Sequence, residues 1–261
     1  MTQRLYNDLS RLWPIVSPPE EYIPDGALFR DIIRSRLAPS RVTGGRRPRL
    51  LELGCGGGHL LSHLTPHFDA EAVDLSPPML DLSRALNVTT PHHQGDMRSI
   101  RLGRLFDVVL IYDAVNYMLS ETDLRAAIAT AKAHLTQGGL LLLAPDHLTD
   151  SFSGPRVIDW NRHSPNEDVT FIEYVADPDP DDTTIESVFF FITNGAGRLE
   201  VHQDRHTFGL FPKATWIGLL EEAGFTVEYL ATEGYEGDIG GHVFVGDLGD
   251  AAPGAAIDNR P

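Results

Sequence analysis

The chain has 261 residues, 42% of them apolar and 22% charged, as in a globular protein large enough to bury a sizeable core. Its formal net charge of −16, from 37 acidic against 21 basic residues, opposes binding along a phosphate backbone, so no nucleic-acid partner is expected. The single cysteine, Cys55, rules out an internal disulfide, and no apolar run reaches about 18 residues, so no membrane span is expected.

The opening Met1-Thr-Gln-Arg-Leu-Tyr6 has no apolar signal core, and with one cysteine a cytoplasmic location is expected. Residues 5–38 read as an amphipathic helical cap interrupted at Pro14, Pro18, Pro19 and Pro24. The basic stretch Arg41 to Arg49 reads as a solvated linker. A βα alternation then begins. Leu50 to Leu53 is a short apolar strand, followed by a glycine turn and a helix over 59–67 with Leu60, Leu61 and Leu64 on one face. A second strand spans 70–75, and Ser76-Pro-Pro-Met starts a helix with serine as N-cap and proline in the first turn. A short third strand spans 92–95. Phe106 to Ile111 is continuously apolar, as in a parallel strand buried on both faces. A helix over 120–135 opens on a capping-box-like Ser120 and Asp123, Gly138-Gly139 ends it, and a fifth strand spans 140–144.

The pattern then changes. Segments 169–176, 187–193 and 199–208 read as three antiparallel strands, the first two joined by the acidic loop 177–182 and the last two by the turn Asn194-Gly-Ala-Gly197. A helix over 211–224 and strands over 225–231 and 241–246 complete the core, and 249–261 reads as a disordered tail. The expected fold is α/β: a Rossmann-like, doubly wound, mostly parallel seven-stranded sheet with an N-terminal helical cap and a small antiparallel β insert over the site. Residues 1–248 form a single domain on this reading: cap 1–45, core 46–147, lid insert 148–210, and the end of the core sheet 211–248.

The chemistry sits at the strand ends of the first half. Glu52-Leu-Gly54-Cys55-Gly56-Gly57-Gly58 places a glycine turn at the carboxyl end of the first strand. Glycine suits a tight turn whose backbone a ligand must touch. A dinucleotide fingerprint has GxGxxG spacing and receives a pyrophosphate. Here the spacing is GxGxG, and Glu52 precedes it by two positions. A carboxylate there repels a pyrophosphate and attracts an ammonium group. Asp74 ends the second strand, 20 positions after Gly54, where a carboxylate can accept from both hydroxyls of a ribose; its structural alternative is to cap the Ser76 turn. Asp96 ends the third strand, suited to an adenine amino group, with Met97 beside it to pack on the base.

Leu51 to Gly58, Val73-Asp-Leu-Ser-Pro-Pro-Met-Leu80, Gln94-Gly-Asp-Met97, Phe106-Asp-Val-Val109 and Leu135 to Leu142 together resemble the ordered motifs of class I S-adenosylmethionine-dependent methyltransferases, over about residues 45–146. More narrowly, His93 to Arg98, Arg101 to Phe106 and Arg205-His-Thr-Phe-Gly-Leu-Phe211 resemble the bacterial aminosugar N-methyltransferases of natural-product pathways. The resemblance implies S-adenosylmethionine as donor. It implies that Glu52, Gly54, Cys55, Gly56 and Gly58 surround the methionine part. Asp74 and Leu75 would serve the ribose, Met79, Asp96 and Met97 the adenine, and Tyr112 and Asp113 the methionyl amine, while Tyr117 lines the donor pocket. Gly57 and His59 depart from the glycine or threonine usual around this turn.

Displacement at a sulfonium relies largely on positioning and desolvation, and a base is needed where the acceptor must lose a proton. Tyr6, Asp146 and His206 are the catalytic candidates, with Tyr22 and Tyr117 behind them. Tyr6 would orient an acceptor from the cap, Asp146 would hold an acceptor amine, and His206 would face the pocket as a base. Their structural alternatives are a core anchor, a helix N-cap and a hydrogen-bonded strand histidine. Among the eleven histidines the adjacent His92 and His93 point opposite ways on a strand, His202 and His206 lie four apart on another, and no cysteine cluster accompanies them, so no metal is expected. The expected partner is a small molecule, most simply a cationic amine, bound by a monomer or homodimer. A hydroxyl acceptor, a non-catalytic methyltransferase-like partner and a nicotinamide-dependent oxidoreductase are the alternatives; Glu52 and the GxGxG spacing count against the last.

Overall fold

The computed structural model describes residues 3–37, 45–195, 197–234 and 240–249. Seven strands form one sheet: β1 (Arg49–Leu53), β2 (Asp69–Asp74), β3 (His92–Gln94), β4 (Phe106–Ile111), β5 (Leu135–Leu143), β10 (Thr226–Ala231) and β11 (His242–Asp247), in the spatial order β10-β11-β5-β4-β1-β2-β3. The five from β1 to β5 are parallel, and β11 joins β5 antiparallel. All six residues of β4 are buried, as their unbroken apolar run requires for a strand covered on both faces. The chain order reverses between β1 and β4, which opens a crevice at their carboxyl ends.

Helices cover both faces: α2 (Ile23–Arg36) and α3 (His59–Leu64) on one, α5 (Glu121–Ala133) and α6 (Lys213–Glu222) on the other, as two separate apolar clusters show. The expected caps form. Ser76 Oγ accepts the amide of Met79 at the start of α4 (Pro77–Leu86), and Ser120 Oγ accepts that of Asp123 at the start of α5. In the N-terminal region the prolines begin elements more than they interrupt them. Pro14 sits in the first turn of α1 (Trp13–Val16), Pro19 in that of a 3-10 turn over Pro19–Tyr22, and Pro24 in that of α2, where no intrahelical amide is lost.

Gly138 and Gly139, expected to end the helix, lie inside β5. The helix stops at Ala133, and the β4–β5 register shifts between Phe106↔Leu135 and Val108↔Leu140. Glycine is needed for that irregularity: Gly138 has φ 67°, and a Cβ on Gly139 would lie 2.8 Å from the Thr136 carbonyl oxygen.

The insert has four strands where three are expected: β6 (Arg156–His163), β7 (Glu167–Ala176), β8 (Thr184–Gly195) and β9 (Arg198–Gly209), antiparallel in that order. β6 escapes a hydrophobic reading because it is an edge strand whose only buried residue is Ile158. A third apolar cluster joins this sheet to the N-terminal segment: Leu5, Leu9, Leu12 and Val16 pack with Val169, Phe171, Ile185, Phe191 and Met79. Trp160 Nε1 adds a hydrogen bond to the Val16 carbonyl at 2.8 Å. Segment and insert therefore form one body over the crevice. Of the basic stretch 41–49, residues 45–49 are described; Arg46 pairs with Asp107 at 3.0 Å and Arg47 bonds the Thr65 carbonyl at 2.9 Å. Residues 250–261, the bulk of the expected tail, lie outside the described residues. No described helix is long and apolar enough to cross a membrane.

Candidate functional site

The glycine turn is built against β2: the amides of Gly54 and Cys55 both donate to the Val73 carbonyl, at 2.7 and 3.0 Å. Gly54 has φ 80°, and a Cβ there would sit 2.3 Å from Ala114 Cβ and 2.9 Å from Met97 Cε. Only glycine lets the turn approach the element after β4 this closely. Beneath the turn Glu52 is 2% exposed, and its Oε2 has no hydrogen-bond partner among the described residues. Burial, reinforced by the charge of Asp74, pushes its carboxyl up to about 8. A buried carboxylate oxygen left without a donor is an unmet demand for a cation.

Asp74 makes the turn contacts expected as its structural alternative. Its Oδ2 accepts the Gly56 amide and its Oδ1 the Ser76 amide, each at 2.8 Å, so it ties the glycine turn to the start of α4. It also lines a cavity of about 700 Å³. Burial raises its carboxyl, against the amides of Ser76, Gly56 and Leu75. The same cavity is lined by Gly54, Leu75, Asp96 and Met97 from the strand ends, by Tyr117 from a 3-10 turn over Asp113–Tyr117, and by Tyr6 from the N-terminal segment. Leu75 is 64% exposed, an apolar face at the opening of the crevice.

Other expected residues lie off this cavity. Met79 is fully buried in the cluster that joins segment and insert. Cys55 is 7% exposed with its thiol raised by burial, so it contributes backbone and packing. Gly58 has φ 74°, and its Cβ would meet Ser83 Oγ at 2.2 Å, which makes it the close contact between turn and α4. Tyr112 packs edge-on against Tyr22 and Phe29. Asp113 and Asp146 line a small adjoining pocket with Asp25 and His242 and are hydrogen-bonded to one another. Burial first, then mutual repulsion at Asp113 and the charge of Glu173 at Asp146, raises both carboxyls, so the pair holds a proton. Asn116 fixes Asp146, donating to Oδ2 at 2.7 Å and accepting its amide at 3.1 Å; Asp146 caps no helix.

His206 is fully buried and does not line the cavity, contrary to the expectation that it faces the pocket. It reaches the cavity through others. Its Nδ1 is 2.7 Å from Tyr117 Oη, and Tyr117 Oη is 2.7 Å from Tyr6 Oη. Its Nε2 is 2.9 Å from Asp204 Oδ2, which also accepts the Leu5 amide at 2.7 Å. Although burial opposes it, the hydrogen bonds from His206 and the amides of Leu5 and Arg4 hold the Asp204 carboxyl below its ordinary value. Two further residues carry no sequence expectation. Arg98 lines the cavity and chelates Asp96 through Nε and Nη2, at 3.0 and 2.6 Å, while its Nη1 meets Asp123 at 2.9 Å. Arg205 lines the cavity from β9. Among the described residues no group of three or more histidine, cysteine or carboxylate side chains is placed to hold a metal.

The arrangement fits an adenosyl sulfonium donor with an amino-acid end: a cationic demand under the glycine turn, a carboxylate at the second strand end, and an apolar surface beside the third. Comparisons with known proteins agree. Residues 50–139 match the family model described as a methyltransferase domain. The chain is 31% identical to the dTDP-3-amino-3,4,6-trideoxy-alpha-D-glucopyranose N,N-dimethyltransferase of Streptomyces venezuelae, over 87% of this chain and 91% of that one. Among solved structures it is similar to Streptomyces venezuelae DesVI, with a TM-score of 0.76 at 27% identity over 88% of this chain and 92% of the other. It is also similar to SAM-bound CalS10, an amino pentose methyltransferase from Micromonospora echinaspora, with a TM-score of 0.73 at 25% identity over 87% and 91% of the two chains.

Proposed function

The chain belongs to the S-adenosylmethionine-dependent methyltransferases, and from that premise we propose that it methylates the amino nitrogen of a nucleotide-linked aminosugar or a close analogue. When bound, S-adenosylmethionine supplies a methyl group on a sulfonium: the acceptor nitrogen forms the new C–N bond, and the C–S electron pair stays on sulfur. Glu52, Gly54, Cys55, Gly56 and Gly58 hold the methionine end, and Tyr112 and Asp113 lie beside its amine. Asp74 and Leu75 hold the ribose, and Asp96 with Met97 the adenine edge. Met79 supports that floor from the core. Asp146 keeps the neighbouring wall acidic, while Tyr6 and Tyr117 face the acceptor.

The observation that carries the reading is the single cavity shared by the strand ends of the core and by the N-terminal segment and β9. At about 700 Å³ it lies within the range of sites for drug-sized ligands (~300–1,000 Å³), room for a donor with a small acceptor beside it. The chain's net charge of −16 suits an ammonium acceptor. The similar S. venezuelae enzyme is named for an N,N-dimethylation of a dTDP-aminosugar, so two successive transfers are expected. We further place the protein in the cytoplasm, acting on a small molecule as a monomer or homodimer.

Incubation with S-adenosylmethionine and matched 3-amino and 3-hydroxy dTDP-sugars, read by mass spectrometry, tests this. A gain of one and then two methyl groups on the amino sugar alone is expected. Methylation of the hydroxy sugar in preference, or of neither while S-adenosylhomocysteine binds, sinks the acceptor assignment. Asp74→Ala is expected to weaken S-adenosylmethionine binding by about 1–3 kcal/mol, through the lost ribose hydrogen bonds to a charged group and a loosened glycine turn. Unchanged affinity in calorimetric titration would take Asp74 out of the site.

A further inference from the structure

The buried chain from Asp204 to Tyr6 carries an inference that rests on the amine-acceptor reading. Its polarity is decided at the inner end. An ionised carboxylate only accepts hydrogen bonds. Asp204 accepts the Arg205 amide on Oδ1 at 3.0 Å and the Leu5 amide on Oδ2 at 2.7 Å, and Oδ2 lies 2.9 Å from His206 Nε2. Nε2 must therefore carry the hydrogen, and in the neutral imidazole Nδ1 is then a lone pair. Tyr117, 2.7 Å away, has to donate to Nδ1. Its oxygen then receives the hydroxyl hydrogen of Tyr6, also at 2.7 Å. Each hydroxyl proton points inward, and the lone pairs of the Tyr6 oxygen are what the chain leaves for a ligand. Both tyrosines line the cavity.

We propose that Asp204 and His206 are positioning residues that orient this chain so that the Tyr6 hydroxyl oxygen takes up the proton an acceptor ammonium must shed before its nitrogen can attack. The step balances along the chain. The N–H proton of the ammonium passes to Tyr6 Oη, the Tyr6 proton to Tyr117 Oη, and the Tyr117 proton to His206 Nδ1. The nitrogen is left with its lone pair, each tyrosine is neutral again with its hydroxyl turned towards the cavity, and the positive charge rests on an imidazolium beside Asp204. The same path in reverse returns the proton to water after product leaves. Asp204 from β9 and Glu173 from β7, the latter carboxyl raised by burial, are the acidic groups facing the ring, and Tyr117 and Tyr6 complete the ionisable groups there. Phe189 and Phe208 cover the rest of it. Water is thereby kept from a group whose charge a wet site would satisfy without any chain.

The first test does not depend on the acceptor. In ¹⁵N spectra of the histidine-labelled protein, His206 is expected as the Nε2–H tautomer, and Tyr117→Phe should shift the Nδ1 resonance by removing its donor. An Nδ1–H tautomer in the neutral ring overturns the proposal whatever the substrate proves to be. The second test is the pH profile of His206→Asn, whose amide oxygen can accept from Tyr117 but cannot keep a proton. Donor binding should stay within about threefold, while kcat on the amino sugar falls about tenfold to a hundredfold near pH 7. The deficit should shrink as pH rises and the acceptor enters already neutral. A deficit that is equal at all pH values means a merely structural histidine and overturns the proposal. A wild-type enzyme that methylates no amine sinks the acceptor reading by itself, with the tautomer still deciding the polarity of the chain.

Discussion

Gly54→Ala is expected to lower affinity for S-adenosylhomocysteine by on the order of a hundredfold, equivalent to roughly 3 kcal/mol. Two costs combine. A side chain at φ 80° is strained, by about 1–2 kcal/mol. The added methyl also lands 2.3 Å from Ala114 Cβ and 2.9 Å from Met97 Cε. Neither distance is tolerable, so the turn and the element after β4 must part. Both neighbours line the cavity, so relief of the clash deforms the surface that the donor touches. Gly56 provides the control, because a Cβ there meets nothing within 4 Å and φ is a milder 51°. Gly56→Ala should be several-fold weaker in effect. Calorimetric titration of both variants decides it: affinity of Gly54→Ala within threefold of the parent would show that the turn is not the floor of the donor site.

Glu52→Gln is expected to make the ligand-free protein more stable and the donor-bound protein less so. The folded carboxyl sits at about 8 against 4.5 for the free side chain. Between those values the folded state keeps a proton that the unfolded state has lost. Stability from this group is thus complete below about 4.5, falls as pH rises, and is lost beyond about 8. Glutamine, which never ionises, removes that slope, so at pH 8.5 the variant should exceed the parent by on the order of a few kcal/mol in urea unfolding. The sign reverses for the donor: its ammonium needs the carboxylate, so parent affinity should climb as pH rises towards 8 and the variant should bind weakly at every pH. Equal stability at pH 8.5 together with unchanged affinity would mean that Glu52 is a satisfied core residue. The protein thus gives up stability at the position where its unpartnered oxygen is wanted.

Much of the strand-end half of the candidate site was legible because its signals are local. Glu52, Gly54, Asp74 and Asp96 stand at strand ends that the apolar runs delimit, and charge and spacing agree within a few residues. The half around Tyr6 and Tyr117 was less so, because its groups meet only in the fold. Tyr6 and Tyr117 are separated by 111 positions and Tyr117 and His206 by 89. No periodicity reports that Asp204 and His206, two apart on one face of a strand, end beneath a tyrosine from the other half of the chain. Gly138 and Gly139 misled for a physical reason: glycine ends a helix and admits a bulge through the same freedom of φ. The edge strand β6 was hidden by its polar residues, which an edge requires.

The cluster that joins Leu5, Leu9, Leu12 and Val16 to the antiparallel sheet bears on how such enzymes diversify. On the proposed reading the acceptor wall is drawn from two stretches far apart in the gene, the opening residues and the insert after β5, and these share one hydrophobic interior that the core enters chiefly through Met79 of α4. New substrate preference can therefore arise by exchanging these two stretches together, with the donor machinery inherited unchanged. A chimaera that carries the insert of one homologue with the leading segment of another would inherit a mismatched interior, and recombination between relatives should favour crossovers that keep the two matched.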